Sequence, residues 1–419
     1  MLKKILEFLD EINPKIIIQA PSRINLINPL DAVEGDFWMP SVAINGINNP
    51  LSAFVYIKPK EENSVIKAYT IYEKYGFFNI EILREEKITK YKNNPKDKMK
   101  GEFKLFYASV YRFIKTCSIF WDEYKKSNFE LGILTTIPSQ SGLGGSSAII
   151  IAILYGFARY YNLYKNLKCM KGRGFPINRD IIAEMATKVE DQDLNITAGY
   201  SDRYVIARGG LGFCSYFGKL HHKKISFEPL AIYDRIDLLY GIQNLPIIVC
   251  YSGVPHDSGD IHAKLRRSYL FNDPFVLKNY ENLAEISWKS RYAIMKQDWE
   301  LLGEYFKKNT LIMNEIMRHV GFDQGIGLSN NILITLIEDH PDVFSVKLTG
   351  AGGGGSVFAL VKPGKIEEVM HDWKNKLNQL ISNPELFLST FPNFPIKISQ
   401  ELKKAQFFRA KIASGVKEL

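Results

Sequence analysis

Residues 15–27 read KIIIQAPSRINLI, a β-branched run interrupted once by Pro21. This pattern predicts a strand broken at the proline. Two further strands are predicted at 51–59 (LSAFVYIKP) and 64–72 (SVIKAYTIY). Polar residues dominate 85–103, where Asn-Asn-Pro marks a turn, so a surface loop is expected. Apolar residues at helical spacing over 103–121 predict a helix. FELGILTTIP (129–138) reads as a strand running into IPSQSGLGGSSAIIIAI (137–153). Helices are predicted at about 145–162 and 179–191, with a loop rich in glycine and lysine between them. The texture changes after GGLGFCSYFG (209–218). NLPIIVCYSG (244–253) reads as a buried strand, and 273–317 as two or three amphipathic helices. DVFSVKLTGAGGGGSVFALV (342–361) reads as strand, glycine loop, strand. A boundary near 220–230 divides the chain into domains 1–225 and 226–419. The first fifteen residues predict a short amphipathic helix; Glu7, Asp10 and Glu11 inside it argue against a signal peptide.

At 419 residues the chain is long enough for two domains with their own cores. Apolar residues make up 46% and charged residues 24%, as in ordinary soluble proteins. The apolar run around Ile149–Leu154 is far shorter than the ~20 residues a bilayer requires, so no membrane partner is expected. Cysteines 117, 169, 214 and 250 lack metal-ligand spacing, and their sparsity suits a reducing, cytoplasmic setting. The net charge of +9 is either a lysine-rich surface or a field that draws anionic small molecules. No basic stripe interleaved with aromatics appears, so nucleic acid is not expected as a partner. Nothing in the sequence separates a monomer from a homodimer.

Three clusters carry candidate chemistry. In the first to attract attention, Gly142, Gly144 and Gly145 let the chain turn from a strand into a helix. Backbone N–H groups then line the first helical turn, where the dipole adds about half a positive charge. Ser146 and Ser147 sit in that turn, placed to cap the helix or to ligate Mg²⁺. The usual Gly-Lys-Ser/Thr phosphate loop is absent. The second cluster is LTGAGGGGSVF (348–358), with Gly350 and then Gly352 to Gly355. Four successive glycines exceed what a hairpin needs, so a backbone packed closely on a nucleotide or on the first glycine loop is expected. The third is APSRINLINPLDAVEGDFWMPSVAI (20–44), holding Arg23, Asp31, Glu34 and Asp36.

In this order the three clusters resemble the three motifs of the GHMP kinase superfamily. Pro138 through Ser146 matches its Pro-x-x-x-Gly-Leu-Gly/Ser-Ser/Gly-Ser motif, and the resemblance spans roughly residues 15–365. TAGYSDRYVIARGGLGF (197–213), VPHDSGDIHAKLRRSYLFND (254–273), INPLDA (27–32) and Gln140 are similar to the glucuronokinase branch of the sugar 1-kinases. The chain departs from that branch at two places: Ser201 stands where glutamine is expected, and a glycine is missing before Asn28.

The resemblance implies an α+β, two-domain fold: an N-terminal domain like ribosomal S5 domain 2 and a ferredoxin-like C-terminal domain. It implies ATP and Mg²⁺ as cofactors and a small-molecule sugar as substrate, phosphorylated at the anomeric oxygen. D-glucuronate is the expected sugar; a galactokinase-like or heptose-phosphate kinase and a non-catalytic sugar or nucleotide sensor are the alternatives. Pro138, Gly142, Leu143, Gly144, Gly145, Ser146, Ser147, Gly352 and Gly353 would hold the nucleotide. Ser146 and Glu190, or Asp191 in its place, would bind the metal. Asp202 would be the base, with Arg23 beside it. Asp31, Tyr204, Gly350 and Ala351 would contact the sugar. A face of Ser258, His262 and Arg266 on a helix offers a counterpart for a sugar carboxylate.

Overall fold

A computed structural model describes residues 1–27, 30–34, 37–47, 49–88, 98–166, 176–216, 231–255 and 258–419. Its strands are β1 (Ile16–Asn25), β2 (Met39–Gly46), β3 (Ser52–Lys60), β4 (Val65–Lys74), β5 (Phe77–Lys87), β6 (Asn128–Thr135), β7 (Leu211–Tyr216), β8 (Ala231–Arg235), β9 (Ile247–Tyr251), β10 (Val343–Thr349), β11 (Ser356–Val361), β12 (Gln406–Ile412) and β13 (Lys417–Glu418). The helices that matter below are α1 (Leu2–Ile12), α2 (Lys104–Thr116), α3 (Ser118–Lys126), α4 (Gly145–Tyr160), α5 (Arg179–Lys188), α6 (Ser201–Arg208), α7 (Ile236–Leu239), α8 (Ser258–Leu270), α9 (Pro274–Lys296) and α10 (Trp299–His319). Among the described residues, hydrogen-bonded neighbours run β10-β11-β9-β12-β2-β1-β3-β6-β4-β5.

The predicted break at Pro21 is a change of partner. Residues Ile16 to Pro21 pair with β3, and Ser22 to Asn25 pair with β2. Proline has no N–H to give, so it fits the point where the ladder is handed over. The helix expected over 103–121 is two helices, α2 and α3, divided at Cys117. The polar segment from 85 begins as the end of β5, and residues 89–97 of the expected loop lie outside the described residues. β2, unread in the sequence, is buried along nearly its whole length.

The apolar run in α4 packs against β1 and β3, with Gly156 facing Ile18 and Ile57 across the contact. The amphipathic α1 buries Ile5 and Leu9 in a small separate cluster with Phe54, Tyr56 and Leu134. Both predictions for these segments hold. The division expected near 225 falls within residues 217–230, outside the described set; beyond them β8 still pairs with β7.

The last residues tie the halves together. β12 pairs with β9 through Gln406 to Arg409 and with β2 through Ala410 to Ile412. The chain then crosses α6: Gly210 N–H donates to Ala413 O at 2.9 Å, and Val416 N–H to Ile206 O at 2.9 Å. It ends with β13 on β1. Cys117 is disulfide-bonded, whereas Cys214 and Cys250 are buried free thiols. Cysteine usage therefore does not argue for a reducing compartment. Among the described residues, no helix is long and apolar enough to cross a membrane.

Gly209 has φ +77°, and a Cβ there would lie 1.9 Å from Gly415 N. Gly209→Ala should therefore destabilise the protein by about 3 kcal/mol through strain and displacement of the terminal segment. Urea unfolding measures this; a change within about 0.5 kcal/mol of wild type would show that the terminal crossing contributes little.

Candidate functional site

The two glycine loops lie backbone on backbone. Gln140, Gly142 and Gly144 have positive φ, and Gly144 precedes α4 with no side-chain cap. A Cβ on Gly350, whose φ is +81°, would sit 3.2 Å from Gly142 Cα and O, so a side chain there would be strained and would crowd the facing backbone. Ser356 Oγ donates to Ser141 O at 2.7 Å, and Asn25 N–H to Thr349 Oγ1 at 3.0 Å. Leu143 is buried beneath the loop, its carbonyl accepting from Ser22 Oγ at 2.8 Å and Arg23 N–H at 3.2 Å. The first-turn amides of Gly145, Ser146 and Ser147 have no partner within the helix, as at any helix start. Gly352 and Gly353 lie farther along. Gly353 N–H is donated to Ile326 O at 2.8 Å, so any contact of Gly353 with a nucleotide does not use that group. Ala351 is buried at the loop junction.

A row of alternating charges runs beside the loop. Arg23, from β1, donates to Gly142 O and, at 2.5 Å, to Asp202 Oδ2. Arg203, next to Asp202 on α6, donates to Glu190 Oε2 through Nε at 2.9 Å and through a second nitrogen. It also donates to Gly199 O at 3.0 Å. Glu190 accepts from Ser146 Oγ at 2.6 Å and from Ser147 Oγ at 3.1 Å. At the other end, Asp31 Oδ2 accepts from Ser201 N–H at 2.5 Å. Burial alone would raise the Asp202 carboxyl, but Arg23 and Arg203 outweigh it, and hydrogen bonding from Arg23, with the Asn25 amide turned toward the carboxylate, helps to hold the value at about 2. Asp31 goes the other way. Burial and the neighbouring Asp202 charge push it up to about 6, against Ser201 N–H and Arg203.

A π-helical turn, Val189–Asp193, sends successive acids in different directions. Glu190 points to Ser146. Asp191 accepts from Arg266 at 2.8 Å and from Ala198 N–H at 3.1 Å, which settles which acid faces the serine. Asp193 is paired with Arg112, at 2.6 and 2.8 Å. A cavity of about 510 Å³ opens beside this turn, lined by Met99, Lys100, Tyr111, Lys115, Gln192 and Asn195 among others.

Two expectations need correction. Tyr204 is fully buried on the far side of α6, its hydroxyl 2.8 Å from Glu184 Oε1, because the helix turns it toward α5 rather than toward Asp202. Arg266 does not present a free cation to a ligand. Besides Asp191 it donates to Ala32 O at 2.6 Å and Ala198 O at 2.9 Å, latching α8 to the loop around Asp31. The side chain of Ser258 lies outside the described residues. Arg203 and Asn25 were missed as site residues. Arg203 has no signal apart from its adjacency to Asp202, since its partner Glu190 is contributed by another element. Asn25 had one: it follows Arg23 by two residues in a strand and so shares its face.

The side chains present fit an anionic ligand and a hard cation. Arg23 Nε is buried without a hydrogen-bond partner, and a Cβ on Gly144 would lie 3.5 Å from it, so this donor faces the loop. Ser146 and Glu190 supply oxygen ligands of the kind Mg²⁺ takes when phosphates complete its shell.

Comparison with known proteins agrees with this geometry. Residues 108–210 match the model of the GHMP kinases N terminal domain, and residues 290–379 that of the GHMP kinases C terminal. The chain belongs to the GHMP kinases. It is 28% identical to a probable glucuronokinase 2 of Arabidopsis thaliana over 270 residues, 62% of this chain and 67% of that one. It is 24% identical to D-glycero-alpha-D-manno-heptose 7-phosphate kinase of Campylobacter jejuni over 63% of this chain and 69% of that one. Among solved structures, Lactococcus lactis galactokinase complexed with galactose matches over the full length of both chains with a TM-score of 0.63 at 15% identity, a likeness of fold. The α+β, two-domain GHMP kinase fold is thereby established.

The raised Asp31 carboxyl has a consequence for stability. Its folded value, about 6, exceeds the ordinary 3.8. Between these values the folded protein holds a proton that the unfolded chain releases, so stability falls as pH rises through this window. The loss is on the order of 3 kcal/mol, complete above about pH 6 and absent below about pH 4. Asp31→Asn should therefore gain stability relative to wild type on going from about pH 4 to pH 8. Urea unfolding at both pH values checks it; a pH-independent difference would contradict the environment described for Asp31.

Proposed function

We propose that this GHMP kinase is an ATP- and Mg²⁺-dependent sugar 1-kinase whose acceptor is D-glucuronate. The observation that carries the kinase chemistry is Asp202 held ionised between Arg23 and Arg203, beside a glycine loop with an unfilled arginine donor. Phosphoryl transfer needs positioning and charge stabilisation more than covalent chemistry. The loop amides and Arg23 supply the positive field for the γ-phosphoryl. Ser146 and Glu190 would hold Mg²⁺, which neutralises phosphate charge when bound. Asp202 accepts the acceptor hydroxyl's hydrogen bond. As the new O–P bond forms and the bond to the ADP oxygen breaks, the hydroxyl becomes acidic and its proton passes to Asp202. A carboxylate with a pKa near 2 is a weak base, so this transfer is late.

Asp31, protonated or ionised, offers hydrogen bonds to sugar hydroxyls. On this reading the purine occupies the cavity beside the π turn, where Tyr111 offers a stacking surface and Gln192 and Asn195 offer amides. The choice of glucuronate rests on the motif resemblance and the similarity to glucuronokinases. The occupied Arg266 withdraws one support for it. A cytoplasmic location is part of the same reading.

An ATP-consumption assay over glucuronate, galacturonate, galactose and a heptose 7-phosphate tests the substrate. The highest kcat/KM is expected for glucuronate; preference for a neutral hexose over both uronates overturns that choice and leaves a broader sugar kinase. Asp202→Asn should keep nucleotide binding and lower turnover by ~10² or more. Near wild-type turnover would remove Asp202 from the reaction. Ser146→Ala should raise the Mg²⁺ concentration needed for half-maximal rate, because an oxygen ligand is lost; an unchanged Mg²⁺ titration would leave Ser146 as no more than a partner of Glu190.

A further inference from the structure

Asn25 is the last residue of β1 and is completely buried. Its backbone and half of its side chain are accounted for. The backbone N–H is held by Thr349, and Oδ1 accepts from Ser41 Oγ at 2.9 Å. Ser41 Oγ lies 2.7 Å from Ser201 Oγ. A serine hydroxyl has one proton, so if Ser41 gives its own to Asn25, Ser201 must donate to Ser41. This chain fixes which way the amide points. Turned over, the amide would aim its oxygen at the Asp202 carboxylate, which repels it. The remaining group, Nδ2, faces Asp202 but makes no hydrogen bond of adequate geometry with any group. A buried amide donor left unmade costs on the order of 1–3 kcal/mol. The two serines nevertheless hold it in that state.

The surroundings say what completes it. Arg23 Nε, the other unfilled donor on this strand, faces Gly144 and the phosphate side. Asn25 also adjoins Asp202 but belongs to a different network. There it is tied through Ser41 to Ser201, which also holds Asp31. Building on the sugar-kinase reading, we propose that Asn25 is a further catalytic residue: its amide Nδ2 donates to the oxygen of the acceptor that lies against Asp202. That oxygen then gives its proton to Asp202 and one lone pair to Asn25, leaving a defined lone pair for phosphorus. Ser41 and Ser201 are positioning residues that hold the amide. Ser201, which replaces the glutamine expected at its position, thereby acquires a role.

The experiment measures kcat and KM, for acceptor and for ATP, in Asn25→Ala, Asn25→Asp and Ser41→Ala, using the acceptor with the highest wild-type kcat/KM. Thermal unfolding of each variant identifies those that are folded. Asn25→Ala should lower kcat/KM for the acceptor roughly tenfold to a hundredfold while KM for ATP stays within about twofold. Asn25→Asp should lose more than Asn25→Ala, because it sets a carboxylate against Asp202. In both variants the loss should fall on kcat/KM for the acceptor and not on KM for ATP, a split that mere space-filling would not produce. Ser41→Ala should lose a smaller factor in the same sense, and the Asn25→Ala/Ser41→Ala double variant should be no worse than Asn25→Ala alone. If the Asn25 variants do not fold, Ser41→Ala decides: wild-type kinetics would overturn the proposal. Acceptor kcat/KM within about threefold of wild type in folded Asn25→Ala would overturn it too. A wild type that phosphorylates no sugar would instead fail at the first step, and would sink the sugar-kinase reading and this proposal together.

Discussion

The site depends on one constraint: Arg203 is buried, and a buried guanidinium must be neutralised and hydrogen-bonded. Glu190 and Asp202 do this from two directions. Desolvation works against the charged form of Arg203, and the Glu190 and Asp202 charges overcome it. Once Arg203 is placed, Glu190 is drawn against the first turn of α4, where Ser146 and Ser147 meet it. Asp202 is shared between Arg203 and Arg23, which draws β1 and the glycine loop to α6. Asp31, at the end of the row, receives too little positive charge to offset its burial. Two neighbouring acids are thus driven apart in proton affinity, an arrangement that separates their roles.

This row of charges lies where the halves of the molecule meet. The first glycine loop comes from the N-terminal half and the second from the C-terminal half, and they meet where a Cβ on Gly350 would crowd the backbone of Gly142. Arg266 fastens α8 to Ala32 and Asp191, and β12 joins β9 to β2 in one strand. The Asp31 end of the row is therefore held by both halves, whereas the serines, Glu190 and Arg203 belong to the first alone.

Much of this was legible in the sequence, because glycine runs and the residues around them are local signals. The glycine loop before α4, Arg23, Ser146, Glu190 and Asp202 all come together as the motifs implied. The strands and helices with clean periodicity were found, α1 and α4 among them. What remained unread depends on contacts between distant segments. Arg203 gave no signal of its own because its partner, Glu190, is set by a π turn that periodicity does not reveal. Tyr204 looked like a pocket residue, but α6 turns its hydroxyl into the interior toward Glu184. Arg266 looked free because the carbonyls that hold it come from Ala32 and Ala198. The C-terminal residues 366–419 had no readable role; the short strands there gain meaning only from the edges they join.

The most direct measurement is a crystal structure of the protein with Mg²⁺, a non-hydrolysable ATP analogue and glucuronate. The account predicts the γ-phosphate against the amides of Gly142 to Ser147 with Arg23 Nε bonded to it. It also predicts the metal on Ser146 and Glu190, and the anomeric oxygen against Asp202. A nucleotide bound away from both glycine loops, or an anomeric oxygen that leaves Asp202 bonded only to its two arginines, would contradict it.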